Sequence, residues 1–147
     1  MGTSLKFFSL ALFLLSFAAI QPVNAMSDEA FKGLEKEAQN ISTRYATAKK
    51  CGLQRTAKKL FDMFGKTASL CEPRETQLIK LERILASAKA KGKCNDLDKV
   101  EQDVLNALNF MNFHYAALDL NFALGGNDVC GEYFIEVNNL REINSKP

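Results

Sequence analysis

Four cysteines, Cys51, Cys71, Cys94 and Cys130, each fall at a junction between segments long enough to be helices, and that placement nearly determines how they pair. Bridging sequence neighbours would join the two ends of one rod across about 30 Å, at 1.5 Å of rise per residue. A disulfide needs Cα atoms within about 7 Å of each other. Of the three connectivities open to four cysteines, only Cys51 with Cys94 and Cys71 with Cys130 avoids the conflict. Two crosslinks over loops of this length stabilise by about 4 kcal/mol each in the chain-entropy model.

The rods themselves are written in the apolar spacing. From Ser27 to Lys50, apolar residues recur at Phe31, Leu34, Ala38, Ile41, Tyr45 and Ala48, in alternating steps of three and four that trace one helix face. Ser27 is placed to cap this helix, with Asp28 and Glu29 in its first turn and Lys49 and Lys50 in its last, each sign where the helix dipole favours it. A second series, Leu53, Ala57, Leu60, Phe64, Thr67 and Cys71, is out of phase with the first, so the chain turns at Cys51-Gly52. Gly65 weakens this second helix from within. Pro73 suits the first turn of a third helix, whose face is Leu78, Leu81, Leu85 and Ala88 and which Gly92 ends. Asn95 or Asp96 then caps a long fourth helix with the stripe Leu97, Val100, Val104, Leu108, Met111, Tyr115, Leu118 and Phe122, stopped by Gly125-Gly126. Val129, Tyr133, Phe134, Val137 and Leu140 specify a short fifth. The expected fold is all-α, an up-and-down four-helix bundle with a short additional C-terminal helix.

Residues 1–25 read as a cleavable signal peptide. Lys6 precedes an apolar stretch from Phe7 to Ile20, and Val23-Asn24-Ala25 has the small-residue ending that signal peptidase accepts. The stretch falls short of the roughly 20 residues a spanning helix needs, so no transmembrane anchor is expected. Residues 26–147 then form a single helical domain, secreted, or periplasmic in a bacterium, where disulfides persist. Asn40-Ile41-Ser42 is an acceptor sequence for N-glycosylation, with Asn40 on the outward side of the first helix.

The chain has 19 basic and 17 acidic residues, and loss of Lys6 with the signal leaves 18 against 17. A balance this even supplies no global pull toward nucleic acid. Locally, Lys49, Lys50, Lys89, Lys91 and Lys93 collect at one pole of the expected bundle. Without interleaved aromatic residues they do not make a platform for single-stranded nucleic acid; they would face an acidic glycan, an anionic headgroup or an acidic protein.

The second half of the fourth helix carries a further apolar series, Phe110, Phe113, Ala117, Leu120 and Leu124. The expected cover is the fifth helix, folded back so that Tyr133, Phe134 and Val137 meet Phe113 and Leu120. The alternative is a ligand cavity lined by Phe110, Phe113, Tyr115, Leu118 and Phe134, which would hold a fatty acid or a sterol-like molecule. His114 is the one histidine, and its neighbours in sequence offer no partner for catalysis, so it reads as a surface residue or a polar contact to a ligand. Phosphate-loop, haem-attachment, serine-hydrolase and zinc-protease signatures are all missing. No catalytic residue, metal or cofactor is expected. The leading functional expectation is a secreted, non-catalytic interaction protein with an extracellular macromolecular partner; the alternative is a carrier of a small apolar ligand.

Overall fold

The computed structural model describes residues 26–146. The signal-peptide expectation falls on residues outside this range. Five helices follow in chain order: α1 Asp28–Lys50, α2 Gln54–Leu70, α3 Glu75–Ala86, α4 Leu97–Leu124 and α5 Val129–Asn144. Both disulfides are as the rod geometry requires, with Cα atoms 5.3 Å apart in Cys51–Cys94 and 5.9 Å apart in Cys71–Cys130.

Local chemistry sets the helix ends. The Ser27 hydroxyl accepts from the Ala30 amide at 3.2 Å, and the Asp96 carboxylate accepts from the Lys99 amide at 3.1 Å. Gly52, just past α1, has φ +81°, which glycine adopts without a Cβ penalty. α2 runs unbroken through Gly65. Two boundaries differ from the sequence reading. α3 starts after Pro73 and stops at Ala86 rather than near Gly92, because the chain is drawn back onto α1: the Thr47 hydroxyl accepts from the Lys91 amide at 3.1 Å and shares its own hydrogen between the Thr43 carbonyl at 2.8 Å and the Lys91 carbonyl at 3.0 Å, and Cys94 is bound to Cys51. α5 runs past Leu140, the last apolar position of its pattern, to Asn144, held in its last turn by Arg141 reaching α1.

Chain direction alternates, and the resulting bundle has two layers. Phe31 and Glu35 meet Lys80 while Tyr45 and Lys49 lie by Leu85 and Ala88, and Gly33 meets Phe134 while Glu37 meets Arg141, so α1, α3 and α5 run the same way. Tyr45 meets Phe61 and Lys49 meets Gln54, so α2 runs opposite to α1; Thr56 bonds Glu101 and Lys66 lies over the Tyr115 ring, so α4 runs with α2. α1 is the centre of the first layer and packs on all four other helices, whereas α3 touches neither α4 nor α5. The core follows the apolar stripes: Leu34, Ala38 and Ile41 of α1, Leu60 and Phe64 of α2, Leu81 and Leu85 of α3, Val104, Met111 and Leu118 of α4, and Phe134 of α5.

One expectation about this packing is overturned. α5 does not cover the second apolar series of α4, for Phe113 and Leu120 remain about two-thirds exposed. It packs instead on α1, and the reason is Gly33. A Cβ placed there would lie 2.2 Å from the Cβ of Phe134 and 2.6 Å from its Cγ, so only glycine admits the Phe134 ring so close to the α1 backbone.

These features predict two outcomes. Ala is the better helix former by up to about 1 kcal/mol, but overpacking costs roughly 1–3 kcal/mol; at Gly33 the contact is with the root of Phe134, which cannot swing aside, so the clash wins. Gly33→Ala therefore lowers the unfolding free energy in a urea titration, while Gly65→Ala, which meets nothing within 4 Å, raises it. In a graded titration with reductant, Cys51–Cys94 opens before Cys71–Cys130, since Cys94 is exposed and both Cys71 and Cys130 are buried.

Candidate functional site

Two constellations stand out from the packing. The first is buried. Glu37 lies on the core-facing side of α1 with 2% of its surface exposed, and His114 of α4 retains 3%. Arg141 of α5 grips the Glu37 carboxylate from the solvent side, with Nη2 donating to Oε1 at 2.9 Å and Nη1 at 2.8 Å from Oε2. His114 Nε2 is 3.5 Å from Glu37 Oε1, and its Nδ1 is 2.6 Å from the Tyr133 hydroxyl.

Burial pushes the Glu37 carboxyl up, but the hydrogen bonds from His114 and Arg141, and their charges, outweigh it and hold the group below the usual carboxylate value. Burial, reinforced by the Glu37 charge, pushes the Tyr133 phenol up to about 12. The phenol hydroxyl and Nδ1 share a hydrogen bond whose direction follows the tautomer of the ring. Nδ1 is taken by Tyr133 and Nε2 is buried facing the Glu37 carboxylate, so the ring offers no solvent-facing nitrogen to a substrate or a metal. The arrangement ties α5 both to α1, on which it packs extensively, and to α4, which it otherwise meets only along a thin seam.

His114 is thus corrected from a surface residue to a core residue. Its partners, Glu37 and Tyr133, come from α1 and α5 and not from its own helix, so local spacing does not reveal them. One signal was available: Glu37 lies three residues after Leu34 and four before Ile41, on the apolar face of α1, and a carboxylate in such a stripe requires a cation.

The second constellation is the basic pole. Lys49 and Lys50 end α1, and Lys89, Lys91 and Lys93 are exposed on the connection from α3 to α4, all at the Cys51–Cys94 end. The structure divides them. Lys91 and Lys93, joined by Arg44 and Lys99, line an open cleft of about 440 Å³ between α1 and the start of α4, with Thr43, Asn95, Asp96 and Asp103. Lys49 and Lys50 border a separate hollow of about 300 Å³ beside Tyr45 and Leu85. Asp96 is occupied as the α4 cap. Arg44 and Lys99 lie on helices and meet the lysines of the connection only through the fold, so spacing along the chain does not single them out.

The five residues expected to line an apolar cavity do not converge. Phe110 and Phe113 face outward, Tyr115 lies beneath Lys66, and Leu118 and Phe134 are parts of the packed core. Asn40 is exposed on α1, as the sequon requires, while Ser42 is buried with its hydroxyl donating to the Gln39 carbonyl. Among the described residues, no group of three or more His, Cys, Asp or Glu side chains is placed to hold a metal ion, and no helix is long and apolar enough to cross a membrane.

The buried tie has a defined pH signature. A carboxyl held low in the folded protein contributes stability that is complete above its unfolded value near 4.5 and is lost as pH falls through the folded value. A phenol held high contributes stability that is complete below 10 and is lost as pH rises toward 12. Glu37→Gln should cost about 2–4 kcal/mol at neutral pH, in the lower part of that range because Arg141 regains water, and should flatten the acid limb of the stability profile. Tyr133→Phe should flatten the alkaline limb alone. Chemical denaturation from pH 3 to 11 reads both.

Comparison with protein-family models gives no match, and neither curated proteins nor solved structures include one that matches this chain.

Proposed function

We propose that this is an exported, non-catalytic interaction protein that binds an anionic macromolecule through the basic cleft at its Cys51–Cys94 pole. The observation that supports this reading is the way the cations are held. The segment bearing Lys89, Lys91 and Lys93 is irregular, yet it is fastened to α1 by the disulfide and by the two hydrogen bonds between Thr47 and Lys91. Cations on a segment already fixed lose less conformational freedom when a ligand arrives than cations on a free loop. A structural need for charge at a helix end is met by Lys49 and Lys50 on α1; it does not explain three lysines on a connection that is not helical.

The chemistry of the cleft favours an acidic polysaccharide. Arg44, Lys91, Lys93 and Lys99 outnumber the carboxylates Asp96, which caps α4, and Asp103, and Thr43 and Asn95 offer neutral hydrogen-bonding groups of the kind that meet sugar hydroxyls. The signal-peptide reading and the two disulfides are consistent with an extracellular setting where such polymers occur. Carriage of a small apolar ligand takes second place, because the residues proposed for it are spread between surface and core.

Affinity chromatography on an immobilised sulfated polysaccharide tests the reading. The wild-type protein should be retained and elute with added salt. Lys89→Glu, Lys91→Glu and Lys93→Glu together should weaken binding about 10- to 100-fold at physiological salt, at roughly 1 kcal/mol or less per exposed charge contact. Equal retention of the triple variant, or no retention of the wild type, would refute it.

A further inference from the structure

The outer side of α4 carries an apolar seam that the bundle does not use. Phe110, Phe113, Leu120 and Leu124 are 63%, 65%, 61% and 75% exposed, with the smaller Ala117 between them. Their steps along the chain are three, four, three and four, the a/d repeat of a coiled-coil seam sustained for two heptads. Core packing does not account for it, since Val104, Met111 and Leu118 already form the buried face of this helix.

We propose that this seam joins two copies of the chain as an antiparallel, two-fold pair, independently of the basic cleft. Three observations identify a second copy as the occupant. First, the seam is self-complementary about Ala117: Phe110 and Leu124 lie seven residues before and after it, and Phe113 and Leu120 lie four before and three after. A two-fold axis through Ala117 sets large residues of one copy against large residues of the other and lets the backbones approach at the small one, as an isologous interface requires. Second, from Val104 to Leu124 there is no Lys, Arg or Glu and a single Asp, Asp119, and the flanks are asparagines such as Asn109 and Asn112. Two such faces meet without like-charge repulsion. Third, residues exposed to this extent form an apolar patch on the order of 500 Å², at the top of the range for monomers. That is close to the apolar share of the roughly 800 Å² per partner in a standard interface.

A lipid surface fits this face less well. Helices that lie in the membrane interface flank their apolar side with Lys and Arg, and there is neither between Val104 and Leu124.

Sedimentation equilibrium of the oxidised protein, from low micromolar to submillimolar concentration, tests the proposal. The wild type should rise to twice the chain mass. Phe113→Asp with Leu120→Asp should stay at the chain mass throughout, and Phe110→Asp with Leu124→Asp should do the same, each with an unchanged helical circular dichroism spectrum because all four side chains are solvent-facing. Ile135→Asp with Ile143→Asp, on exposed positions of α5, should leave the dimer intact. A wild type that remains monomeric, a dimer that survives both α4 variants, or one that dissociates in the α5 variant would overturn the proposal. So would co-sedimentation of the monomer with phosphatidylcholine or phosphatidylserine vesicles.

Discussion

Two crosslinks between alternate cysteines, one at each pole, are the constraint on which the rest of this fold depends. Each joins helix ends that chain direction had already brought together, so the bridges and the packing impose the same topology. The buried Cys71–Cys130 link anchors the start of α5 beside the end of α2, although these two helices do not otherwise pack on each other. From that anchor α5 is led along α1, where Gly33 receives Phe134 and Glu37 receives Arg141. The Cys51–Cys94 link does a different task at the other pole. It fixes an irregular, lysine-bearing connection against the end of α1 and thereby turns loose charge into a defined cleft.

α1 is the element through which these effects combine. Its apolar stripe is wide enough to meet every other helix, and two of its residues solve problems a purely apolar face would not. Gly33 removes a side chain so that an aromatic ring can approach, and Glu37 places a carboxylate where His114, Tyr133 and Arg141 converge. A buried ion pair is weak support for stability on its own. Here its value lies in orientation, because α4 and α5 share little apolar contact and the polar chain between them sets how α5 lies.

Much of this was legible in the sequence, and for identifiable reasons. The cysteine pairing followed from rod lengths alone, and the stripes of α1, α2 and α4 from apolar spacing, with Leu34, Leu60, Phe64, Met111 and Leu118 buried as that spacing requires. What could not be read was which helix faces meet. Spacing marks Phe113 and Leu120 as apolar but does not say which face of α5 turns toward them; the pairing that wins, Phe134 on Gly33, joins residues a hundred positions apart and depends on a missing Cβ. The same holds for His114. Local spacing reports its own helix, whereas Glu37 and Arg141 are 104 residues apart. Ala86 ends α3 earlier than the pattern implies because hydrogen bonds from Thr47 compete with the helix for the Lys91 backbone.

The functional reading and the dimer proposal use opposite kinds of surface, a cationic cleft at one pole and an uncharged seam along α4, and together they describe a bivalent display of the cleft. Both require the alternate crosslinks to be the native ones. Proteolysis of the unreduced protein, with mass spectrometry of the linked peptides, tests that most directly. The account predicts one peptide pair joined through Cys51 and Cys94 and another through Cys71 and Cys130; a link between Cys51 and Cys71, or between Cys94 and Cys130, would contradict it.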